Sequence, residues 1–122
     1  MVFAKKIVTM LERGTANTRW RDYADVHVLC HRHVVTGTEL HESIAAVAMH
    51  RRVALRDLRL TLSGFAELAQ GKWAAWLRRQ LLTDRLPDDF ATVVDLVVRF
   101  ADPILSERAT GLVWRPEQQA WG

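Results

Sequence analysis

Leu55, Leu58, Leu62, Phe65, Ala69, Trp73 and Trp76 follow one another at steps of three or four residues. That period lines one face of a helix and leaves little for a sheet to use. The rest of the chain repeats it. Phe3, Ile7, Met10 and Leu11 predict a first helix over about 2–13, closed by Gly14 in the cap position. Asn17 or Thr18 can cap a second helix, from Arg19 to about His33, and Gly37 closes that region. Thr38 can cap a third, from Glu39 to about Arg51, with Leu40, Ile44 and Val47 as its buried stripe. Gly64 and Gly71 interrupt the long seam, each costing about 1 kcal/mol relative to alanine, so the seam reads as two helices or one kinked one. A last helix is expected to carry Pro87 in its first turn, bury Phe90, Val93, Val94, Val97 and Phe100, and end at Asp102-Pro103. Val113 to Trp121, with its Arg-Pro-Glu-Gln centre, reads as a hairpin or strap whose tryptophans lie back on the bundle. The expected fold is all-α. It is one domain over 1–122, a helical bundle of about five helices with a short extended or hairpin C-terminal tail over 106–122.

A chain of 122 residues, 49% hydrophobic and 25% charged, can bury a core that folds unaided. No run approaches the roughly 18 apolar residues of a membrane helix, and the start, Met-Val-Phe-Ala-Lys-Lys, lacks a signal peptide's apolar stretch. Cys30 is the only cysteine. No disulfide framework is expected, and the cytoplasm is the expected compartment. The net charge of +3 is uneven. Residues 1–61 hold ten Lys/Arg against six Asp/Glu and all five histidines, whereas 62–122 hold seven against eight. A basic half suits a polyanion, although a solvated face has the same composition. There is no Gly-x-Gly-x-x-Gly, Walker lysine motif or Gly-x-Ser-x-Gly elbow, which argues against a dinucleotide fold, a P-loop enzyme and an α/β-hydrolase.

The segment Asn17 to Val26, Asn-Thr-Arg-Trp-Arg-Asp-Tyr-Ala-Asp-Val, concentrates the chemistry, with Lys5 and Lys6 one helix upstream. On a helical wheel Trp20, Tyr23, Ala24, Val28 and Cys30 share the apolar arc, and Arg21, Asp22, Asp25 and Arg32 lie opposite. Two readings of the polar face stay open. Arg21 with Asp25 and Arg19 with Asp22 can form intrahelical pairs contributing roughly 0.2–0.5 kcal/mol each. Alternatively, one aspartate serves as a general base or holds a metal-bound nucleotide. His27, Cys30 and His31 project from one helical face, yet no fourth zinc ligand accompanies them, so no metal site is expected. Arg51, Arg52, Arg56 and Arg59 could meet RNA phosphates. Lys72-Trp73, Trp76 and Arg78-Arg79 could clamp a single strand, though tryptophans at helical spacing more often belong to the core.

Ala4-Lys5-Lys6-Ile7-Val8 with Arg13-Gly14, followed by Thr18-Arg19-Trp20-Arg21-Asp22-Tyr23-Ala24-Asp25-Val26, resembles the third motif of the AbiEii/AbiGii-type nucleotidyltransferase toxins. In that family an Ala-Glu-Lys helix precedes an Arg-x-Lys-Asp-x-x-Asp helix. Leu86-Pro87 through Phe90, Phe100-Ala101-Asp102-Pro103 and the Trp114 to Trp121 tail are similar to the C-terminal half of its actinobacterial members, so the likeness spans essentially the whole chain. The resemblance implies a polymerase-beta-like core followed by a helical region, transfer of nucleotides to tRNA acceptor ends in some members, and an opposing antitoxin. By motif position Lys6 matches the lysine that contacts the nucleoside triphosphate, Asp22 the catalytic aspartate, and Asp25 a supporting aspartate. Arg19 belongs to the same motif. Arg21 stands where lysine is usual, and Lys5 where glutamate is usual.

The family's first motif, Gly-Ser followed by a metal-binding Asp-x-Asp, does not occur in these 122 residues. Ser63-Gly64 is reversed, and Asp88-Asp89 lacks the intervening residue. Phosphoryl transfer depends on metal-ion neutralisation of developing charge, so the chain alone is expected to be inactive and to hold no cofactor. Nucleoside triphosphate and Mg²⁺ are implied only for the complete family enzyme. One expectation is therefore a C-terminal portion of a toxin, truncated or completed by a separately encoded catalytic half. The other is a non-enzymatic helical module that binds an antitoxin protein or tRNA.

Overall fold

A computed structural model describes residues 2–122. Six α-helices carry most of that chain: α1 (Val2–Arg13), α2 (Trp20–Arg32), α3 (Gly37–Arg51), α4 (Leu58–Thr61), α5 (Phe65–Arg79) and α6 (Phe90–Leu105). Three short strands, β1 (Val35–Thr36), β2 (Val113–Arg115) and β3 (Ala120–Trp121), form an antiparallel sheet in the order β1-β2-β3. The core stripe of α6 packs against α2 on one side and α5 on another, and α1 lies mainly on α3.

Aromatic side chains fix these packings. Trp20 and Tyr23 of α2, Phe65 and Trp73 of α5, and Phe90 of α6 form one cluster, with Trp73 and Phe90 stacked at 4.8 Å and Tyr23 and Phe90 edge to face at 5.4 Å. Buried aromatics of this kind contribute about 0.5–1.5 kcal/mol per pair beyond the area they bury. Trp73 and Trp76 belong to this core, the Trp73 indole N–H donating to the Pro87 carbonyl at 3.0 Å. They form no clamp for a nucleic-acid strand.

The structure departs from the expected all-α bundle with a short extended or hairpin tail in one respect, a three-stranded sheet. Val35 pairs with Trp114 and Thr36 with Val113, while Trp114 and Trp121 face each other in the terminal hairpin. The tail is thus one side of a sheet whose third strand comes from the α2–α3 connection. Both tryptophans are anchored: Trp114 Nε1 donates to the Cys30 carbonyl at 2.8 Å and Trp121 Nε1 to the Phe100 carbonyl at 3.0 Å. Phe100 stacks on Trp121, meets Trp114 edge to face and contacts Phe3 of α1 at a tilt.

Helix boundaries shift where glycine conformation or specific contacts fix them. Gly64, at φ +78°, divides the seam into α4 and α5, whereas Gly71 lies inside α5 with open space around it. α4 is a single turn. Its Asp57 accepts from the Leu60 amide, and the buried Asp102 carboxylate of α6 accepts from the amides of Leu58 at 2.7 Å and Arg59 at 3.2 Å. Pinned in this way, Asp102 stays helical, so α6 passes through Pro103 to Leu105 instead of ending there. Asp89, not Pro87, opens α6, accepting from the Ala91 amide. Asn17 accepts from the Arg19 amide in the turn before α2, and Thr38 accepts from the Gly111 amide across the sheet junction, so neither caps its own helix.

Two glycines report on this architecture in opposite directions. A Cβ on Gly37 would lie 2.0 Å from the Ala109 carbonyl oxygen, and one on Gly71 would meet nothing. Gly37→Ala is expected to destabilise the chain by at least about 2 kcal/mol through overpacking. Gly71→Ala is expected to stabilise it by about 0.5–1 kcal/mol. Chemical denaturation of both variants checks the pair.

Candidate functional site

α1 and α2 bring the sequence-selected residues together. Lys6 sits one turn into α1, and Asp22 and Asp25 are three residues apart on α2, so one α1 side chain can reach both carboxylates. The Lys6 ammonium lies 3.0 Å from Asp22 Oδ1 and 3.0 Å from Asp25 Oδ2. The Lys6 side chain is 20% exposed and Asp22 15% exposed, so solvent still reaches the cluster from one side. Burial alone would lower the Lys6 pKa, but the hydrogen bonds and charges of Asp25 and Asp22 outweigh it and raise it above its ordinary 10.5.

An ammonium has three donors, of which the carboxylates use two. Beside it opens a groove of about 330 Å³ lined by Lys5, Lys6, Thr9, Arg19, Asp22 and Arg51. Four cations face one carboxylate there, a donor set that suits phosphate oxygens. Arg51 comes from the end of α3, where it donates to the Thr9 hydroxyl at 2.9 Å and lies 3.9 Å from Glu12. Thr9 carried no signal of this role in the sequence, and Arg51 was legible only as a possible contact to RNA phosphates, not as a neighbour of Lys6. Thr9 lies one turn beyond Lys6 on the same face, but Arg51 enters only because α3 packs along α1.

Neither intrahelical pair is present. Among the described residues Asp22 and Asp25 are both bridged by Lys6, and Arg21 forms no ion pair. The Arg21 guanidinium instead lies over the Trp76 ring, 5.5 Å from its centroid, and donates to Gln80 Oε1 at 3.1 Å. Arg21 thus faces away from the Lys6 groove, while Arg19 lines it. Of the other arginines, Arg56 donates to the Leu11 carbonyl at the end of α1 and Arg59 pairs with Asp95. Both are bound within the fold.

No three His, Cys, Asp or Glu side chains come together as a metal site among the described residues. Asp22, the one carboxylate lining the groove, shares the Lys6 ammonium with Asp25, and the other groups there are cationic or hydroxyl. The residues present therefore fit a triphosphate and do not by themselves fit a Mg²⁺ ion. His27 is buried, and the His31 ring, 4.6 Å away, has Nδ1 2.8 Å from the His27 carbonyl. Burial first, and the charge of His31 second, lower the His27 pKa to about 4.

Two outcomes follow from this electrostatics. A raised Lys6 pKa contributes stability that is fully present below about pH 10.5 and is lost as pH rises through the folded value. Lys6→Met, which leaves two carboxylates facing each other, is expected to cost about 1 kcal/mol at neutral pH after solvent screening, an effect that shrinks above pH 10.5. Because His27 is depressed, the unfolded chain binds a proton below about pH 6.5 that the folded chain refuses until about pH 4. Thermal stability is expected to fall across that window, and to fall less in His27→Gln. Melting curves at stepped pH read both.

Comparison with curated proteins and with solved structures gives no match. A family model does match, over residues 1–96, a span that contains the whole Lys6–Asp22–Asp25 cluster and leaves 97–122 outside it. The antitoxin-opposed character of the family suggests a protein partner, and no described helix is long and apolar enough to cross a membrane. The chain belongs to the family described as nucleotidyl transferase AbiEii toxin, Type IV TA system.

Proposed function

We propose that this chain supplies the helical part of a nucleotidyl-transferring toxin site and is inactive without the Gly-Ser/Asp-x-Asp segment, which these 122 residues do not contain. The observation that carries the reading is the Lys6 ammonium held at 3.0 Å by both Asp22 and Asp25 beside a cationic groove. Lys5, Arg19 and Arg51 hold the phosphates of a nucleoside triphosphate, and the third Lys6 donor points the same substrate at Asp22. Asp22 Oδ1 faces the ammonium, which leaves Oδ2 to accept the proton of an attacking hydroxyl. The oxygen so freed bonds to the α-phosphorus as the bond to the leaving pyrophosphate breaks. Asp25 keeps Lys6 oriented. In the complete family enzyme Mg²⁺ would neutralise charge on the phosphates, and the residues of this chain do not hold it. We propose a tRNA acceptor end as the source of the hydroxyl.

A second reading is favoured by the completeness of the ion cluster: with both carboxylates satisfied, the motif can persist as structure in a module that binds an antitoxin or tRNA. A transfer assay separates the two. It uses labelled nucleoside triphosphates, tRNA and Mg²⁺, with the chain alone and with a polypeptide carrying the Gly-Ser/Asp-x-Asp segment. The expected result is no transfer by the chain alone, transfer by the combination, and a loss of at least about a hundredfold with Asp22→Ala. Transfer by the combination that ignores Asp22→Ala would contradict the assigned role. No transfer under any pairing would favour the second reading.

A further inference from the structure

His27 and His31 stand four residues apart on α2, a spacing that turns two side chains to one face of a helix. Their rings meet, with centroids 4.6 Å apart and planes inclined at 47°. Two imidazoles sharing one cation at a Zn–N distance of about 2.0–2.1 Å, with an angle of about 90–110° at the metal, hold their centroids about 4.5–5.2 Å apart. The folded pair falls inside that range.

The state of each ring suits the same role. His31 Nδ1 lies 2.8 Å from the His27 carbonyl, and a carbonyl only accepts, so Nδ1 carries the proton and Nε2 keeps its lone pair. Metal-binding histidines are characteristically oriented by such a second hydrogen bond. Neither ring nitrogen of His27 bonds to a protein group among the described residues, and neither is sealed from solvent. Burial disfavours the protonated form of His27, which leaves the ring neutral and able to ligate. Cys30 does not join the pair: its side chain is fully buried, and burial keeps the thiol protonated.

We infer that His27 and His31 form an open two-imidazole site for Zn²⁺. Among the described residues no third His, Cys, Asp or Glu stands beside them, so water completes the coordination shell. Two neutral nitrogens without a carboxylate favour a cation that seeks imidazole over Mg²⁺ or Ca²⁺, which need oxygen ligands. The site is therefore separate from the phosphate-binding groove, and it stands whether or not the transfer reading holds. A cation bound there staples the last two turns of α2, the helix that carries Asp22 and Asp25. Because the unfolded chain does not hold the two rings together, binding raises the stability of the folded one.

The test is a titration of the tag-free 122-residue chain with zinc chloride at neutral pH, read by calorimetry and by the ¹⁵N resonances of the imidazole rings. One equivalent of Zn²⁺ is expected to bind, with shifts at His31 Nε2 and at one His27 nitrogen, and the melting temperature should rise with Zn²⁺. Mg²⁺ at the same concentrations should do neither. H31Q alters an exposed side chain and should keep the fold. It is expected to weaken binding at least about tenfold, since losing even an outer-shell partner costs about 10–100-fold in metal affinity. H27Q should weaken it likewise, whereas H33Q and H50Q, at exposed histidines outside the pair, and Cys30→Ala should leave it unchanged. Equal losses in H33Q or H50Q would overturn the inference in favour of diffuse binding by surface histidines. A loss in Cys30→Ala would overturn the two-imidazole ligand set, and the absence of saturable shifts at His27 and His31 would overturn the site outright.

Discussion

The Lys6 ammonium between Asp22 and Asp25 is the contact on which the arrangement of this molecule turns. It ties α1 to α2 where solvent still reaches both sides of the pair. Two carboxylates three residues apart on a helix repel each other, and a half-buried lysine loses hydration. Placed together, each removes the other's penalty. The contact also sets how charge is distributed: the shared ammonium leaves the Lys6–Asp22–Asp25 cluster one negative charge, with Lys5, Arg19 and Arg51 on one flank and Arg21, Arg32 and Arg85 on the other.

The scaffold behind the cluster explains why a short chain can hold it still. α2 is gripped on its apolar face by Phe65 of α5 and Phe90 of α6, while α1 rests on α3 and, through Phe3, on Phe100. The C-terminal hairpin closes the far end, where the Trp114 indole N–H donates to the Cys30 carbonyl in the last turn of α2. Side chains in such a core sit in fixed rotamers, so Asp22 and Asp25 inherit a fixed direction from Trp20 and Tyr23 beside them.

Much of this was legible in the sequence, and the exceptions share a cause. The helical period located α1, α2, α3, α5 and α6, the charged segment on α2 drew attention to Asp22 and Asp25, and the family resemblance added Lys6 of α1. What failed were features set by partners distant in sequence. Val35–Thr36 is too short to signal a strand until Val113 and Trp114 lie against it. Asp102 resists the break before proline because the α4 amides hold it. Arg21 turns to Trp76 rather than Asp25, and Arg51 reaches the groove from another helix. Local spacing cannot carry such information, since each depends on which helices become neighbours.

We propose above that the Lys6–Asp22 flank receives a nucleotide. The most direct measurement is an NMR titration of the isotope-labelled chain with a nucleoside triphosphate, following side-chain and backbone resonances. Saturable shifts are expected at Lys5, Lys6, Thr9, Arg19 and Arg51, and are expected to be lost in Lys6→Met. Saturable shifts confined to other surfaces, or shifts at this groove that persist unchanged in Lys6→Met, would contradict it.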